Sequence, residues 1–473
     1  MKTILLLILF FAVSLFSSGQ TETFSIGSYI INMGATKPNT IANGLKPYGL
    51  IYDLLRNNNV PIKWVIAAGK IKDGVDFTYN AVQYKGGTFI IPAEYRSAAV
   101  NIKITSWIGQ GIVGTTTTSP LTVTVTQTLL AAPRWTLDAA NGDIAQGYLT
   151  NAGITLAAFP GAYNWKSPQT LSSCDDFFVM PHADPTWATH SNLFFWNKNS
   201  LGSIWAGCHA VSALENSINP SNSAQQMNFL STRTAATSPA PWPNNSLTLW
   251  RSHVGGSIPY THQFFDDPVA QYLGTTDAAQ LNGSEQIFLP KQGLTPNNTR
   301  WNPGAKIIAY DPTQANVTSP DLANGNIAAL IVYGRGFDDP TRGFVMYEAG
   351  HRLNKGTAGD VAAQRAFLNF SFFQAQFKAP NITLSGITAG QNINGGTIVS
   401  VSASATSPLT GVTFTYLWSC SCGGSFANAT ATSTTFTAPT VVSPTPCVIT
   451  CQATDNCGRA SFKSYPVNIL PGP

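Results

Sequence analysis

The stretch "GSIWAGCHAVSALEN", Gly202 to Asn216, decides how the rest of the chain is interpreted. Its first half is a short apolar run typical of a buried strand, and its second half has the composition of a helix. Cys208 and His209 stand at the junction. The stretch therefore predicts a strand that ends in a sharp turn, with a thiol and an imidazole on the turn.

Small residues flank this turn. A sharp strand–turn–helix element needs small residues two positions before and after its central residue, because the backbone and the neighbouring strand come close there. Ala206 and Ala210 meet this need. A helix that begins after Cys208 lowers the pKa of its thiol, and a histidine can act as its base.

Cys208, His209, His351 and Glu348 are therefore the candidate catalytic residues, with Glu348 and His351 as a pair near the thiol. The alternative interpretation of Cys208 is a small buried apolar residue. No bridge between Cys208 and Cys174 is expected, because one follows a strand and the other precedes a strand.

Three regions with different patterns follow one another along the chain. Residues 20–131 mix strands with one clear helix, and we expect an N-terminal α/β region packed on the core. Residues 132–379 alternate apolar strands with helices, which favours an α/β fold with a parallel sheet covered on both faces. Residues 380–473 show only short alternating strands and turns, which predicts a β-sandwich.

All six histidines fall in the middle region: His182, His190, His209, His253, His262 and His351. Most of them follow predicted strands, and sites in parallel sheets lie at the carboxyl ends of strands. We therefore predict a shared rim of imidazoles, with His182, Asp184, His190 and Trp187 as ligand-binding residues. Histidine and carboxylate together also suit a metal ion held by His182, Asp184 and His190. Their spacing matches no dedicated zinc pattern, so the leading hypothesis assigns no metal and no cofactor.

Composition and the first residues indicate the compartment. Lys2, the apolar run from Ile4 to Phe16 and the small residues Ser17 and Gly19 predict a signal peptide over residues 1–19. No later run reaches about 18 apolar residues, so no membrane span is expected after cleavage. Charged residues make up 10% of the chain and the formal net charge is +4, which argues against a nucleic-acid partner. The predicted location is secreted, periplasmic or cell-surface.

The cysteines divide into two groups. Cys174 and Cys208 lie in the middle region, and the C-terminal group, the disulfide candidates, consists of Cys420, Cys422, Cys447, Cys451 and Cys457. A crowded group of this kind indicates disulfides in an oxidising compartment. Five is an odd number, so at most two bridges are expected within the group.

Several segments of the middle region resemble the trehalose-utilisation (ThuA-like) branch of the class I glutamine-amidotransferase-like superfamily. "GSIWAGCHAV" resembles its "GGxxxGxHxA" strand–turn–helix, and "RGFVMYEAGH" (Arg342 to His351) resembles its late strand ending in Gly-His. "DDFFVMPHADP" takes the place of the preceding strand, and "AAQRAFLNFSFF" resembles the closing helix. The resemblance covers about 250 residues and implies a flavodoxin-like three-layer sheet.

The same resemblance does not imply glutaminase activity. Working amidotransferases carry Gly-x-Cys-x-Gly and His-x-Glu, whereas this chain has alanines at both flanking positions and no His-x-Glu. In the ThuA-like branch the cysteine is usually absent and the histidine retained. This implies that His209 matters more than Cys208.

The C-terminal region resembles PKD-like and other immunoglobulin-like modules of bacterial surface proteins. "FTYLWSC" (Phe414 to Cys420) matches the central strand with its tryptophan, and "CQATDNCGRASF" (Cys451 to Phe462) matches the closing strand–turn–strand. The resemblance implies a buried Trp418 and one bridge that joins Cys420 or Cys422 to Cys447 or Cys451. Such modules usually act as spacers or as attachment modules.

The leading hypothesis is an exported, envelope-associated or secreted protein. Its non-classical amidotransferase-like core binds a polar ligand such as a glycan, and its PKD-like module mediates adhesion or spacing. One alternative is a cysteine-dependent amidohydrolase that uses Cys208 with His351 or His209, and another is a metal-dependent hydrolase. The sequence leaves open whether the chain is an enzyme and what its oligomeric state is.

Overall fold

The computed structural model describes most of the chain. The described residues are 19–34, 44–232, 246–252, 259–277, 285–291, 299–313, 327–353 and 358–472. The predicted signal peptide, except its last residue, and His253 lie outside them. No helix among these residues is long and apolar enough to cross a membrane.

In the N-terminal region, residues 19–34 and 44–131 form a six-stranded sheet, a small hairpin and two α-helices. Its elements are β1 (Gln20–Phe24), β2 (Tyr29–Ile31), α1 (Lys46–Asn58), β3 (Ile62–Val65), β4 (Val75–Tyr79), β5 (Val82–Lys85), β6 (Thr88–Ile91), α2 (Ala98–Ile108), β7 (Gly114–Thr116) and β8 (Leu121–Leu129). The sheet has the order β1-β8-β3-β6-β2-β7, every pair is antiparallel, and β4 pairs with β5.

Helix α1 joins this region to the middle of the chain. Tyr48 is fully buried, and its hydroxyl lies 2.5 Å from Asn369 Oδ1. A Cβ on Gly49 would lie 2.2 Å from the backbone oxygen of Ala152. Such a close approach is available only to glycine. Buried residues of both regions belong to one continuous hydrophobic core.

Among its described residues, the middle region contains a ten-stranded sheet and four α-helices. Its elements are β9 (Trp135–Asp138), α3 (Asp143–Asn151), β10 (Tyr163–Lys166), β11 (Phe177–Met180), α4 (Trp187–Asn199), β12 (Ser203–Gly207), α5 (Ala210–Asn216), β13 (Leu247–Ser252), β14 (Thr261–His262), β15 (Gln286–Pro290), β16 (Lys306–Tyr310), β17 (Ala329–Arg335), β18 (Phe344–Glu348) and α6 (Ala358–Ala375). Both helices and strands are present, as the sequence predicts.

The direction of the strands changes halfway across this sheet. The order is β10-β9-β11-β12-β18-β17-β15-β13, with β16 beside β17 and β14 beside β16. The first five strands are parallel, and β17, β15, β13, β16 and β14 pair antiparallel. The expectation of a parallel sheet is therefore correct for one half only, because apolar runs indicate burial but not strand direction.

One face of the parallel half packs on α6 and α3. The ring of Trp205 lies 5.3 Å from that of Phe367 on α6 and 6.1 Å from that of Tyr148 on α3. The indole N–H of Trp135 on β9 donates to Ser371 Oγ on α6 at 3.1 Å. These large buried rings pack the parallel strands against the two helices.

The C-terminal region is all-β, as predicted. Its strands are β19 (Asn381–Ser385), β20 (Asn392–Asn394), β21 (Ile398–Thr406), β22 (Phe414–Cys420), β23 (Ser425–Phe426), β24 (Ser433–Thr437), β25 (Thr445–Asp455) and β26 (Ala460–Leu470). They form two four-stranded sheets, β19-β21-β24-β23 and β20-β26-β25-β22. Residues from both sheets, Trp418 among them, form one buried cluster.

The disulfides differ in part from the expectation. Cys422 and Cys447 are bridged, with Cα atoms 5.0 Å apart. Cys457 pairs outside its group, with Cys174 of the middle region. Cys420 and Cys451 are free thiols, so one bridge forms within the C-terminal group. The pattern of the sequence did not foresee the second bridge because its partners are 283 residues apart.

Candidate functional site at the carboxyl edge of the central sheet

The candidate residues lie just after the ends of three neighbouring parallel strands. His182 follows β11, Cys208 and His209 follow β12, and His351 follows β18. These strands are hydrogen-bonded neighbours in the order β11-β12-β18, so their carboxyl ends meet at one edge. The ring of His182 lies 3.7 Å from that of His209 and 5.2 Å from that of His351.

The turn at Cys208 has the sharp geometry that the sequence predicts. Cys208 has a φ of 51°, a left-handed conformation that costs energy for a residue with a side chain. Its backbone N–H donates to the carbonyl oxygen of Glu348 on the next strand at 2.9 Å. A Cβ on Gly207 would lie 2.7 Å from the Trp205 ring and 3.0 Å from the carbonyl oxygen of Pro181, so the strand must end in glycine.

A thiol, an imidazole and a carboxylate lie in a row at this turn. Cys208 Sγ is 3.7 Å from His209 Nδ1, and His209 Nε2 is 3.4 Å from Asp184 Oδ1. The Asp184 side chain is 80% exposed, whereas Cys208 and His209 are buried. A carboxylate at Nε2 favours the tautomer that carries its proton there, which leaves the Nδ1 lone pair facing the sulfur.

Burial controls the protonation of Cys208. It raises the pKa of the thiol to about 12, and the nearby charge of Glu285 acts in the same direction. The expectation that the following helix would lower this pKa is wrong, because α5 has only seven residues and the thiol has no solvent exposure. Cys208 is therefore a neutral thiol at pH 7 in the absence of a bound cation.

Glu348 lies beneath the turn and is fully buried. The indole N–H of Trp205 donates to its Oε2 at 3.1 Å, while Oε1 has no hydrogen-bond partner among the described residues. Burial raises the pKa of Glu348 to about 8. Trp205 on the neighbouring strand thus orients this carboxyl group, whereas the sequence predicts a pairing of Glu348 with His351.

Glu285 is a second buried acid near the turn, and the sequence does not predict it. Its Oε1 accepts from the hydroxyl of Tyr260 at 2.7 Å, and burial raises its pKa to about 7. Glu285 immediately precedes the buried strand β15. An acidic residue beside an apolar run was the available signal, but a solvated strand end gives the same pattern.

The remaining candidates lie elsewhere. His190 is buried on α4, with Nδ1 3.0 Å from the carbonyl oxygen of Thr186, and burial lowers its pKa. Trp187 begins the same helix and packs against Phe194, with ring centroids 5.9 Å apart. His262 contacts Tyr272 and Asp277. The structure thus gathers His182, Cys208, His209 and His351, with Asp184 beside them.

Comparisons with known proteins give only weak likenesses. No protein-family model matches the chain, and no curated protein is similar to it. A nucleoside hydrolase-related protein from Saccharophagus degradans is 17% identical, with a TM-score of 0.18, over 28% of this chain and 35% of that chain. A Photobacterium 2,6-sialyltransferase is 15% identical, with a TM-score of 0.14, over 18% of each chain.

A third likeness is equally weak. Fibronectin(III)-like modules of Clostridium thermocellum CbhA are 11% identical, with a TM-score of 0.16, over 40% of this chain and 86% of that chain. The chain covers only 35% and 18% of the length of the hydrolase-related protein and the sialyltransferase. Similarities this low identify no family, so the function must be inferred from the site.

Proposed function

We propose that the chain is an exported protein in which His182, Cys208 and His209 hold a divalent transition-metal ion that serves hydrolysis of a polar substrate. In this proposal the middle region is a ThuA-like, flavodoxin-like three-layer domain, and the C-terminal region is a PKD-like spacer. The mixed sheet with its parallel half and the "GSIWAGCHAV" turn support the first assignment.

The observation that carries the proposal is the distance between ligand atoms. One ligand atom each from His182, Cys208 and His209 lie within 4.8 Å of one another. Around a tetrahedral zinc ion, with bonds of about 2.3 Å to sulfur and about 2.0 Å to nitrogen, neighbouring ligand atoms are about 3.5 Å apart. The 3.7 Å between Cys208 Sγ and His209 Nδ1 is close to that value.

The surroundings of the three residues favour the same interpretation. Asp184 at His209 Nε2 has the place of the carboxylate that commonly orients a metal-bound histidine. A cation also explains why a fully buried thiol lies among imidazoles, because metal binding deprotonates a coordinating cysteine. When bound, such an ion lowers the pKa of a water and polarises a carbonyl oxygen.

A neutral polar ligand such as a glycan is the proposed ligand class, because imidazole nitrogens at the edge of the sheet exchange hydrogen bonds with hydroxyl and carbonyl oxygens. The two nearby acids, Glu285 and Glu348, are fully buried and are assigned no contact with the ligand. Glycan-array binding by the full chain tests this class, and a flat array without a ligand-induced melting shift contradicts it.

The export assignment rests on covalent chemistry and on the first residues of the chain. Two disulfides, Cys174–Cys457 and Cys422–Cys447, are typical of oxidising compartments. The apolar run from Ile4 to Phe16 has the length of a signal-peptide core. Determination of the mature N-terminus after expression with its leader tests this assignment, and an uncleaved chain contradicts it.

The metal is tested by elemental analysis and by cobalt substitution. We expect about one ion per chain and, with Co²⁺, a near-ultraviolet charge-transfer band from the Cys208 thiolate. C208S should lose the band, and His182→Ala should lower the metal content, while the matched control His190→Gln retains both. Full-length protein without stoichiometric metal, after exposure to Zn²⁺ or Co²⁺, contradicts the proposal.

A second candidate function is a cysteine-dependent amidohydrolase. It is favoured by the left-handed backbone of Cys208 and by the row of Cys208, His209 and Asp184, which has the order nucleophile, base and orienting acid. Iodoacetamide distinguishes the two functions. An activated nucleophile reacts near pH 6 faster than a model thiol, whereas a metal-bound or buried thiol reacts slowly, and the metal-bound one reacts faster after chelation.

A further inference from the structure

A cavity of about 230 Å³ lies where the three regions of the chain meet. Each region contributes part of the wall. The polar and glycine positions of the wall are Arg56, Asn59, Arg134, Gly161, Gln452 and Gly458. Arg134 precedes β9, at the amino end of the parallel strands, so this cavity is at the opposite edge of the sheet from the histidine cluster.

Arg56 brings an uncompensated positive charge to the cavity. It lies in the last turn of α1, and its Nη1 donates to the hydroxyl of Tyr52 at 3.0 Å. Its Nη2 donates to the carbonyl oxygen of Pro160. In the part of the chain that the structure describes, no carboxylate lies within 4 Å of its guanidinium.

Arg134, which also lines the cavity, shares the carboxylate of Asp176 with two other cations. Asp176 lies 3.4 Å from Arg134 Nη1, 3.1 Å from Lys378 Nζ and 3.0 Å from Arg459 Nη1. Arg459 also pairs with Asp455 at 2.6 Å. Two cationic side chains, Arg56 and Arg134, and no carboxylate are among the described residues that line the cavity, so its wall carries an excess of positive charge.

Asp175, the neighbouring carboxylate, does not neutralise the positive charge of the cavity, and two glycines keep part of the wall open. Asp175 is bound by Lys166 at 2.8 Å. A Cβ on Gly161 or on Gly458 would meet no atom within 4 Å, so the wall at these two positions faces open space. Positive charge lining a concave, partly dry surface focuses the potential into it and attracts anions.

We propose that this cavity binds a small oxyanion: a carboxylate, sulfate or phosphate group on a molecule no larger than a monosaccharide. The guanidinium groups of Arg56 and Arg134, which both line the cavity, are the planar forks that recognise such groups. The size follows from the volume, which is below the roughly 300–1,000 Å³ of pockets for drug-sized ligands. Because residues of all three regions contact the same ion, binding also stabilises the junction.

Titration calorimetry and thermal melting of the full chain test the site. The probes are inorganic phosphate and glucuronate, with glucose as the uncharged analogue of glucuronate and sodium chloride at equal ionic strength. We expect phosphate, glucuronate or both to bind and raise the melting temperature, and neither control to do so. Binding of phosphate alone, or of glucuronate alone, identifies which oxyanion the site takes.

Variants locate the binding. Arg56→Gln should weaken binding on the order of tenfold, since it removes one charge-assisted contact. Arg56→Lys, which retains the charge but loses the fork, should weaken it less and serves if Arg56→Gln does not fold. Lys463→Gln on the C-terminal region is the matched control. Equal melting shifts with sodium chloride, or unchanged affinity in both Arg56 variants, overturn the proposal.

Discussion

Glu348 shows how burial controls chemistry at the level of one residue. Its side chain is fully buried with one hydrogen bond, from the Trp205 indole, and its neighbourhood offers little to stabilise a negative charge. The same physical cause raises the pKa of Glu285 and Cys208. Sequence pattern predicted where Glu348 and Cys208 lie but not their protonation, because desolvation depends on packing from elements distant in the chain.

A pH dependence of stability follows from Glu348. Its pKa is about 8 in the folded state, against 4.5 for an unperturbed glutamate, so the folded protein holds this proton between pH 4.5 and 8 while the unfolded chain releases it. Stability from this group is therefore full below pH 4.5 and falls as the pH rises to 8. Glu348→Gln should reduce that decline by up to about 1.4 kcal/mol per pH unit.

Urea unfolding at intervals between pH 4.5 and 8.5 provides the measurement. Glu94→Gln is the matched control, because Glu94 is exposed on the N-terminal region, and it should leave the pH dependence of the wild type unchanged. A Glu348→Gln profile parallel to the wild type would show that the buried carboxyl group is already ionised in this range.

At the level of elements, the sequence predicted the positions that meet at the carboxyl edge. The apolar runs before His182, Cys208 and His351 are the adjacent parallel strands β11, β12 and β18. The antiparallel half of the sheet, and Glu285 just before its strand β15, are not predicted by the sequence. An apolar run indicates a buried strand in either direction, and the pairing of β17 with β18 depends on contacts that local pattern does not contain.

The end of β12 leads to a prediction about Gly207. A Cβ there would lie 2.7 Å from the Trp205 ring and 3.0 Å from the carbonyl oxygen of Pro181, and both neighbours are held in the core. Gly207→Ala should therefore lower the free energy of unfolding by about 1–3 kcal/mol. It should also displace the turn at Cys208.

Urea unfolding and Co²⁺ binding are the two measurements for this variant. Gly109→Ala, at the end of helix α2 with a φ of −58°, is the control and should change stability little. Its new Cβ would come no nearer than 3.3 Å to another atom. Wild-type stability in Gly207→Ala would mean that the strand end relaxes at no cost.

At the scale of the whole molecule, the C-terminal region is attached to the core by covalent and ionic contacts. Cys174 and Cys457 are bridged, and Arg459 donates to the carbonyl oxygen of Ser173 at 2.8 Å and pairs with Asp176. Buried ion pairs of this kind are costly to break from one side. The all-β region is thus joined rigidly to the loop that leads into β11, the strand that carries His182.

The two disulfides should contribute differently to this attachment. In the chain-entropy description, a bridge stabilises more when it closes a longer loop. Cys174–Cys457 spans 283 residues and Cys422–Cys447 spans 25, which corresponds to about 5.5 and about 3.5 kcal/mol. The Cys174→Ser/Cys457→Ser double variant should therefore lose more stability than the matched Cys422→Ser/Cys447→Ser variant.

Calorimetric unfolding of the oxidised proteins tests this order and the coupling behind it. Without Cys174–Cys457 only the chain itself and non-covalent contacts hold the junction, among them the ion pair of Arg459 with Asp176 and its hydrogen bond to Ser173. We therefore expect the single melting transition to separate into two, with the C-terminal region melting independently. Without Cys422–Cys447 the loss lies inside the C-terminal region, and its attachment to the core persists. One unchanged transition in the Cys174→Ser/Cys457→Ser variant would mean that the non-covalent interface is sufficient to couple the regions.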